Sequence, residues 1–362
     1  MRILMTTDTV GGVWTYSLQL AGALRRHGVH VLLAVKGALR GDQRAAARTL
    51  NNAAIAQRNG KLEWMDDPWA DLDEAGDWLL ELAERYQPDV VHLNEYCHAA
   101  LPWKAPVLVV GHSCVLSWFA AVRGCAAGPE WDRYRSEVQR GLQAADLVVA
   151  PTRSMLSALE HHYGPLPSQR VIFNGWDAHR FWQMGKQPLV FSAGRLWDEA
   201  KNVATLAAAA PQLRWPVGVA GLQHPAGDQG PPCPEAVEWL GPLSADQMTT
   251  AYAIASIYAL PALYEPFGLT ALEAALSGCA LVLGDIPTFR EIWADAACYV
   301  PPRDARGLAR AINRLIDDLP MRNQRARAAQ GRGRSLSAER MATAYARSYR
   351  RLAVRQRQAM FV

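Results

Sequence analysis

The order strand, helix, strand runs through this chain twice, and that repetition constrains the fold more than any other feature of its 362 residues. In the first half, Arg2–Thr7, His30–Val35, Val90–Asn94, Val107–Gly111 and Leu147–Ala150 are apolar runs of strand length. Between them, Val13–His27 carries Val13, Tyr16, Leu20 and Leu24 at helical spacing, with Gly28 as its C-cap. Asp77–Tyr86 is a second amphipathic helix, ended by Pro88. The second half restarts the order. Leu189–Ala193, Val217–Ala220, Ile257–Pro261, Ala280–Leu283 and Cys298–Val300 read as strands. Val203–Ala210, Ala245–Ala255, Leu269–Leu276 and Arg306–Leu315 read as helices. Alternation of this kind predicts parallel sheets joined by right-handed crossovers, an α/β class with two doubly wound domains. The boundary is expected at Asn174-Gly175-Trp176-Asp177 and the aperiodic stretch after it. This gives residues 1–178 and 179–336, with a last helix, Leu336–Leu352, in a C-terminal segment of about residues 337–362 that returns to the first domain. Gly221–Pro234 reads as a loop.

In such folds ligands bind beyond the carboxyl ends of the strands, so the loops that follow strands should hold the chemistry. The most informative is Leu260-Pro261-Ala262-Leu263-Tyr264-Glu265-Pro266-Phe267-Gly268-Leu269-Thr270-Ala271-Leu272-Glu273. Glu265 ends a strand, and the N–H groups of Gly268, Leu269 and Thr270 open a helix as an anion site. Glu273 falls one turn further, directed back toward the loop. A carboxylate accepts two hydrogen bonds and suits the vicinal hydroxyls of a sugar. Two exposed acids favoured by the helix dipole would explain the same pattern. The second loop, Gly194-Arg195-Leu196-Trp197-Asp198-Glu199-Ala200-Lys201-Asn202, sets a guanidinium and an ammonium beside a glycine turn. That pair suits a diphosphate; a surface ion-pair loop with Asp198 and Glu199 is the plainer reading. The third, Gly11-Gly12 after the first strand, brings backbone N–H groups to a helix start but lacks the dinucleotide-binding G-x-G-x-x-G, and Lys36 stands where a dehydrogenase needs an acid. The fourth sets His112 at a strand's carboxyl end, where a structural histidine is the alternative to a functional one.

Together these segments resemble the retaining glycosyltransferases of family 4, of the GT-B fold, over nearly the whole chain. The resemblance also takes in Ala145-Asp146-Leu147-Val148-Val149-Ala150-Pro151-Thr152, Asn174-Gly175-Trp176-Asp177, Leu240-Gly241 and the E-x7-E pair Glu265 and Glu273. It implies that Arg195 and Lys201 bind the donor diphosphate. Glu265 and the backbone at Phe267 and Gly268 would hold the sugar, Glu273 the ribose, and His112 the sugar near its reacting face. It further implies a nucleotide sugar and a hydroxyl acceptor as partners, no metal and no other cofactor. Trp176 stands where the family commonly has a small β-branched residue, and Asn202 where glycine is frequent.

Other classes fit less well. Asp71-Leu72-Asp73 spells the D-x-D of metal-dependent transferases, yet it sits among acids before a helix, where the dipole accounts for them. A phosphorylase would need a cofactor lysine and a longer chain. A sugar-nucleotide epimerase of the same architecture stays open as an alternative. So does a non-catalytic nucleotide- or carbohydrate-binding module, although such a module is expected to have lost Glu265, Arg195 or Lys201. Arginines crowd residues 322–357, where Glu339 is the only acid, without the interleaved aromatics of a nucleic-acid binder. They read first as the solvated face of a last helix, and second as a weak contact with an anionic membrane surface. Net charge is a mild +4. The apolar start is too short for a signal peptide, and no run approaches the ~18 apolar residues of a membrane span. A cytoplasmic protein is expected, at most peripheral to the inner membrane face. Its six scattered cysteines are expected as free thiols. Trp14, Trp118 and Trp197 lie near the proposed loops and could stack on sugar rings, although aromatic side chains also fill cores.

Overall fold

A computed structural model describes residues 1–223 and 235–359. It divides into two compact units. The first takes Met1–Ala120, Cys125–Gly175 and the chain from Ala338 on; the second takes Ala121–Gly124 and Trp176–Ser337. Most of the expected loop Gly221–Pro234, with Cys233, lies outside the described residues. None of the five described cysteines is joined in a disulfide.

In the first unit the elements run β1 (Arg2–Asp8), α1 (Gly12–Leu24), β2 (His30–Lys36), α2 (Gly41–Arg48), β3 (Ala53–Arg58), α3 (Trp69–Tyr86), β4 (Val90–Leu93), β5 (Val107–Val110), α4 (Val115–Trp118), α5 (Asp132–Ala144), β6 (Leu147–Ala150), α6 (Arg153–Tyr163) and β7 (Gln169–Val171). The second unit holds β8 (Gln187–Ala193), α7 (Val203–Ala209), β9 (Val217–Ala220), β10 (Glu238–Trp239), α8 (Ala245–Ile254), β11 (Ala255–Leu260), α9 (Leu269–Leu276), β12 (Ala280–Gly284), α10 (Pro287–Trp293), β13 (Cys298–Val300), α11 (Ala305–Asp317) and α12 (Leu319–Ser335). The last helix, α13 (Ala338–Ala359), belongs to the first unit.

Both sheets are wholly parallel and share one order: β3-β2-β1-β4-β5-β6-β7 in the first unit and β10-β9-β8-β11-β12-β13 in the second. Strands β4, β5, β6, β11 and β12 are buried along their length, as strands covered on both faces must be. The order reverses between β1 and β4 and again between β8 and β11. These two switch points are where doubly wound sheets leave a crevice at their carboxyl ends.

Helix α13 explains how the arginine-rich end is accommodated. Met341, Ala342, Tyr345, Ala346, Tyr349, Leu352 and Ala353 form a stripe at helical spacing that joins the first unit's core beside α1. Arg340, Arg347, Arg350, Arg351 and Arg355 are exposed. No helix among the described residues is long and apolar enough to cross a membrane.

Three expectations need correction. The expected last helix, Leu336–Leu352, is α13, which begins at Ala338 and runs on to Ala359, and a helix not expected from the sequence, α12, precedes it. Helix α3 begins at Trp69, so Asp71 and Asp73 lie inside it, Asp71 in the first turn. Trp14 is a core residue, only 5% exposed, because its position on α1 faces the sheet.

Candidate active site

In the second unit, β8 and β11 run side by side, and the loops after them meet. Beyond β8, the Gly194 N–H donates to the Ala220 carbonyl at 3.0 Å. The chain passes so close that a Cβ on Gly221 would stand 1.7 Å from the Gly194 carbonyl oxygen. This fixes the start of the loop that carries both cations. Arg195 Nη2 donates to Asp198 Oδ2 at 2.7 Å, and its guanidinium lies 5.1 Å from the centre of the Trp197 ring. Trp197 is thus engaged by Arg195 while remaining half-buried. Lys201 closes the loop. Its ammonium donates to Glu265 Oε2 at 2.6 Å, with the two side chains only 16% and 14% exposed.

The turn after Lys201 needs a left-handed residue, and Asn202 supplies it at φ 54°. Asparagine tolerates this region better than other side chains. Its amide donates to the carbonyls of Pro261 at 2.8 Å and Pro302 at 2.7 Å. The residue that replaces a glycine therefore also ties the cation loop to β11.

On the β11 side, Glu265 is held at three points. Oε2 accepts from Lys201, Oε1 accepts the Gly268 N–H at 3.0 Å, and its own carbonyl accepts the Thr288 hydroxyl at 2.6 Å. This corrects the expectation that the Gly268 N–H is free for a ligand: Glu265 occupies it. Gly268 has φ 85°, and a Cβ there would meet Phe289 at 2.8 Å and Glu265 Cγ at 3.3 Å. Glycine is required by the protein's own packing. Phe267 is buried, and Leu269 and Thr270 begin α9 half-exposed. The Thr270 hydroxyl lies 2.8 Å from that of Tyr258 on β11.

Glu273 lies on the same half-exposed side of α9 but in other company. Its neighbours are Tyr252 on α8 and Trp176 and Arg180 from the segment that opens the second unit. Burial raises its pKa to about 7, against the lowering effect of the Tyr252 hydroxyl, the Trp176 indole N–H and Arg180. Neither donor reaches it in standard hydrogen-bond geometry. The large residue in the family's small position thus places an N–H beside this carboxyl. Tyr258 stands within electrostatic reach of both Glu265 and Glu273.

In the first unit, Gly11 and Gly12 are exposed at the start of α1, after a turn in which Asp8 Oδ1 accepts the Val10 N–H at 2.8 Å. At the β1/β4 switch point a recess of about 40 Å³ is lined by Thr6, Thr7, Asp8, Lys36, Glu63 and Asn94, among others. Lys36 and Glu95 form a buried ion pair there. Burial lowers the Lys36 pKa to about 8. His112 lies two residues beyond β5, with Nε2 2.8 Å from Asn94 Oδ1 and the Tyr16 ring edge-on at 4.5 Å. A larger cavity, about 420 Å³, is lined by Leu80, Pro88, Asp89, Trp103, Lys104 and Gln356, among others, at the amino ends of β4 and β5. It lies away from every residue singled out here.

The structure therefore brings Arg195, Lys201, Glu265, Gly268 and Thr270 to one switch point, and His112, Gly11 and Gly12 to the carboxyl end of the other sheet. Residues 187–318 match the glycosyl transferases group 1, and residues 10–180 match Glycosyltransferase Family 4. The chain belongs to glycosyltransferase family 4. Within that family's reach, the glycogen synthase of Mycobacterium tuberculosis is 29% identical over 273 residues, 68% of this chain and 64% of the synthase. The match thus spans just under two thirds of that relative. Sucrose-phosphate synthase from Thermosynechococcus elongatus has a TM-score of 0.78 at 19% identity, covering 97% of this chain and 99% of that one. Anabaena HepE, solved in complex with UDP-glucose, has a TM-score of 0.78 at 17% identity, covering 97% of this chain and 100% of that one. At such identities the likeness concerns the fold, and the fold is GT-B.

Family membership gives the loops a common logic. The residues that sequence reasoning missed are the supports: Tyr258 beneath Thr270, Thr288 on the Glu265 carbonyl, and Asn94 beside His112. Only Asn94 had a legible signal, a polar residue ending an apolar strand.

Proposed function

We propose that this family 4 protein transfers a sugar from a nucleoside-diphosphate sugar to an acceptor hydroxyl, with retention and without a metal ion. The observation that carries this reading is the Lys201–Glu265–Gly268 arrangement at the β8/β11 switch point, with Arg195 on the same loop. Two cations and a helix start provide the positive field that a departing diphosphate requires. Glu265 is fixed next to that field, where it can accept from sugar hydroxyls. That HepE was solved with UDP-glucose supports a nucleotide sugar as the donor class for this fold.

The reaction proceeds in one sense. The bond between the anomeric carbon and the phosphate oxygen breaks, and the diphosphate leaves with the electron pair. An oxocarbenium-like centre forms and the acceptor oxygen attacks on the face just vacated. The acceptor proton passes to an oxygen of the leaving phosphate. Arg195 and Lys201 exchange part of their pairing with Asp198 and Glu265 for the phosphates, so the charge they carry is already oriented. Glu273 accepts from the ribose and His112 contacts the sugar.

A panel of nucleotide sugars screened for thermal stabilisation identifies the donor, because a ligand that binds only the folded state raises its midpoint. The anomeric configuration of the product, read by NMR, then tests retention. An inverted product, or epimerised donor with no transfer, would sink this reading. The exposed arginines of α13 would allow weak attachment to an anionic surface; salt-reversible sedimentation with phosphatidylglycerol vesicles tests that addition.

A further inference from the structure

His112 belongs to a partly buried hydrogen-bonded series that runs from the carboxyl end of the first sheet to the last helix. His112 Nε2 lies 2.8 Å from Asn94 Oδ1, and His92 Nε2 lies 3.1 Å from the same oxygen. His92 Nδ1 lies 2.6 Å from the Tyr349 hydroxyl on α13. The amide nitrogen of Asn94 is 2.6 Å from the Thr6 carbonyl, and its backbone N–H donates to the Thr6 hydroxyl at 2.9 Å.

These contacts permit one arrangement of protons. A carbonyl oxygen only accepts, so the atom of Asn94 that faces Thr6 must be the NH₂ group. The atom facing the two histidines is then the amide oxygen, which also only accepts. Both histidines must therefore carry their proton on Nε2. His92 Nδ1 is left as an acceptor, and the Tyr349 hydroxyl donates to it. His112 Nδ1 is likewise an acceptor. Burial holds both rings neutral, with pKa values lowered to about 3. The rings and hydroxyls around them, Tyr16, Tyr345 and Tyr349, supply no charge.

We propose that Asn94 is a positioning residue that fixes His112 as the Nε2–H tautomer, so that Nδ1 accepts a hydrogen bond from a hydroxyl of the bound sugar. This rests on the reading of His112 as a sugar contact. A histidine free to choose its tautomer could donate or accept; one held by Asn94 only accepts, and so selects a hydroxyl at that point of the substrate. The wrong tautomer at a functional histidine removes its role while leaving its place in the structure intact.

The test uses the full chain with ¹⁵N-labelled histidine. In the wild type, His112 is expected to show a protonated, pyrrole-type Nε2 and an unprotonated, pyridine-type Nδ1. The Nδ1 resonance is expected to move on saturation with the nucleotide sugar that best stabilises the chain. Asn94→Leu, checked for folding by circular dichroism, is expected to lose the single tautomer and to lower kcat about tenfold or more, with a smaller change in donor KM. A protonated Nδ1 in the wild type overturns the proposal without any variant. So does an Nδ1 resonance unmoved at saturating donor, or a folded Asn94→Leu protein that keeps both tautomer and kcat. Should the wild type turn over no nucleotide sugar, the functional reading fails by itself, and the tautomer is still decided by the spectrum.

Discussion

Glu265 and Glu273 belong to one motif yet meet opposite surroundings, and their substitutions should separate accordingly. Glu265 is pinned by Lys201 and the Gly268 N–H at the end of β11, where, on the proposed reading, the transferred sugar would flatten and its hydroxyl contacts would tighten. Glu265→Gln is therefore expected to lower kcat by about tenfold to a hundredfold, the ~1.5–3 kcal/mol of a hydrogen bond to a charged group. On the proposed reading Glu273 holds the ribose, which does not change during reaction, so Glu273→Gln should raise donor KM with kcat little altered. Steady-state kinetics decide between this split and its reverse. The raised pKa of Glu273 adds a pH signature. Burial makes the folded chain hold this proton more tightly than the unfolded chain. Its stabilising contribution is complete below the ordinary value of 4.5 and is lost as pH rises through about 7. Denaturant unfolding of Glu273→Gln should show a shallower decline across that window, by at most about 3 kcal/mol. Ionisation also makes the carboxylate a pure acceptor for ribose hydroxyls. Donor KM should accordingly fall between pH 6 and 8 in the wild type and stay flat in Glu273→Gln. The cations are simpler: Arg195→Ala or Lys201→Ala should weaken nucleoside-diphosphate affinity by ~2 kcal/mol or more, and unchanged calorimetric affinity in both would remove the diphosphate from this site.

At the scale of elements, the start of α9 and the turn into α7 each depend on one residue in the left-handed region. Gly268→Ala must place a Cβ against Phe289 and Glu265 at φ 85°, so a lowered unfolding midpoint and weaker donor binding are expected together, at a cost of ~1–3 kcal/mol. Asn202→Gly relieves the backbone but leaves the Pro261 and Pro302 carbonyls without their donor. It should destabilise by about 1–3 kcal/mol; a stabilised variant would show that the turn matters more than the tie. These same elements show what the sequence could reveal. Strand–turn–helix segments are local, and α9, β6, β9 and β13 were legible to the residue because each is apolar and bounded by turn residues. Helix α12 was not, since it buries only Ala329 and Gly333, the glycine lying against Leu272 and Leu276 of α9, and so shows no apolar stripe. Strand β3 escaped because its alanine-rich, half-exposed run looks like no strand alone, and β10 is two residues long. In the site, residue types were legible but pairings were not. Lys201 and Glu265 are 64 positions apart, and only the sheet order brings them together. Glu273 was expected to face its own loop; the neighbours it has, Trp176 and Tyr252, come from other parts of the chain.

For the whole molecule, two sheets of one strand order leave two crevices. Their chemical content is unequal, and that inequality bears on the metal. The second unit's switch point holds Arg195 and Lys201 beside a helix start, each cation already in contact with a carboxylate. On the proposed reading a diphosphate entering there would replace part of those contacts, and charge neutralisation would come from groups fixed before the reaction begins. A divalent ion would supply the same field through oxygen ligands held at a strand end. The acids that could imitate such a site, Asp71 and Asp73, belong to α3 in the first unit, with Asp71 already explained as a first-turn residue at a helix start. Turnover is therefore expected to continue in excess EDTA within about twofold of its untreated rate, and to fall with rising salt as ionic contacts to the phosphates are screened. Asp71→Asn combined with Asp73→Asn should leave both behaviours in place. Loss of turnover in chelator, restored by Mn²⁺ or Mg²⁺ in the parent chain and not in that double variant, would transfer the phosphate chemistry from Arg195 and Lys201 to the acids of α3.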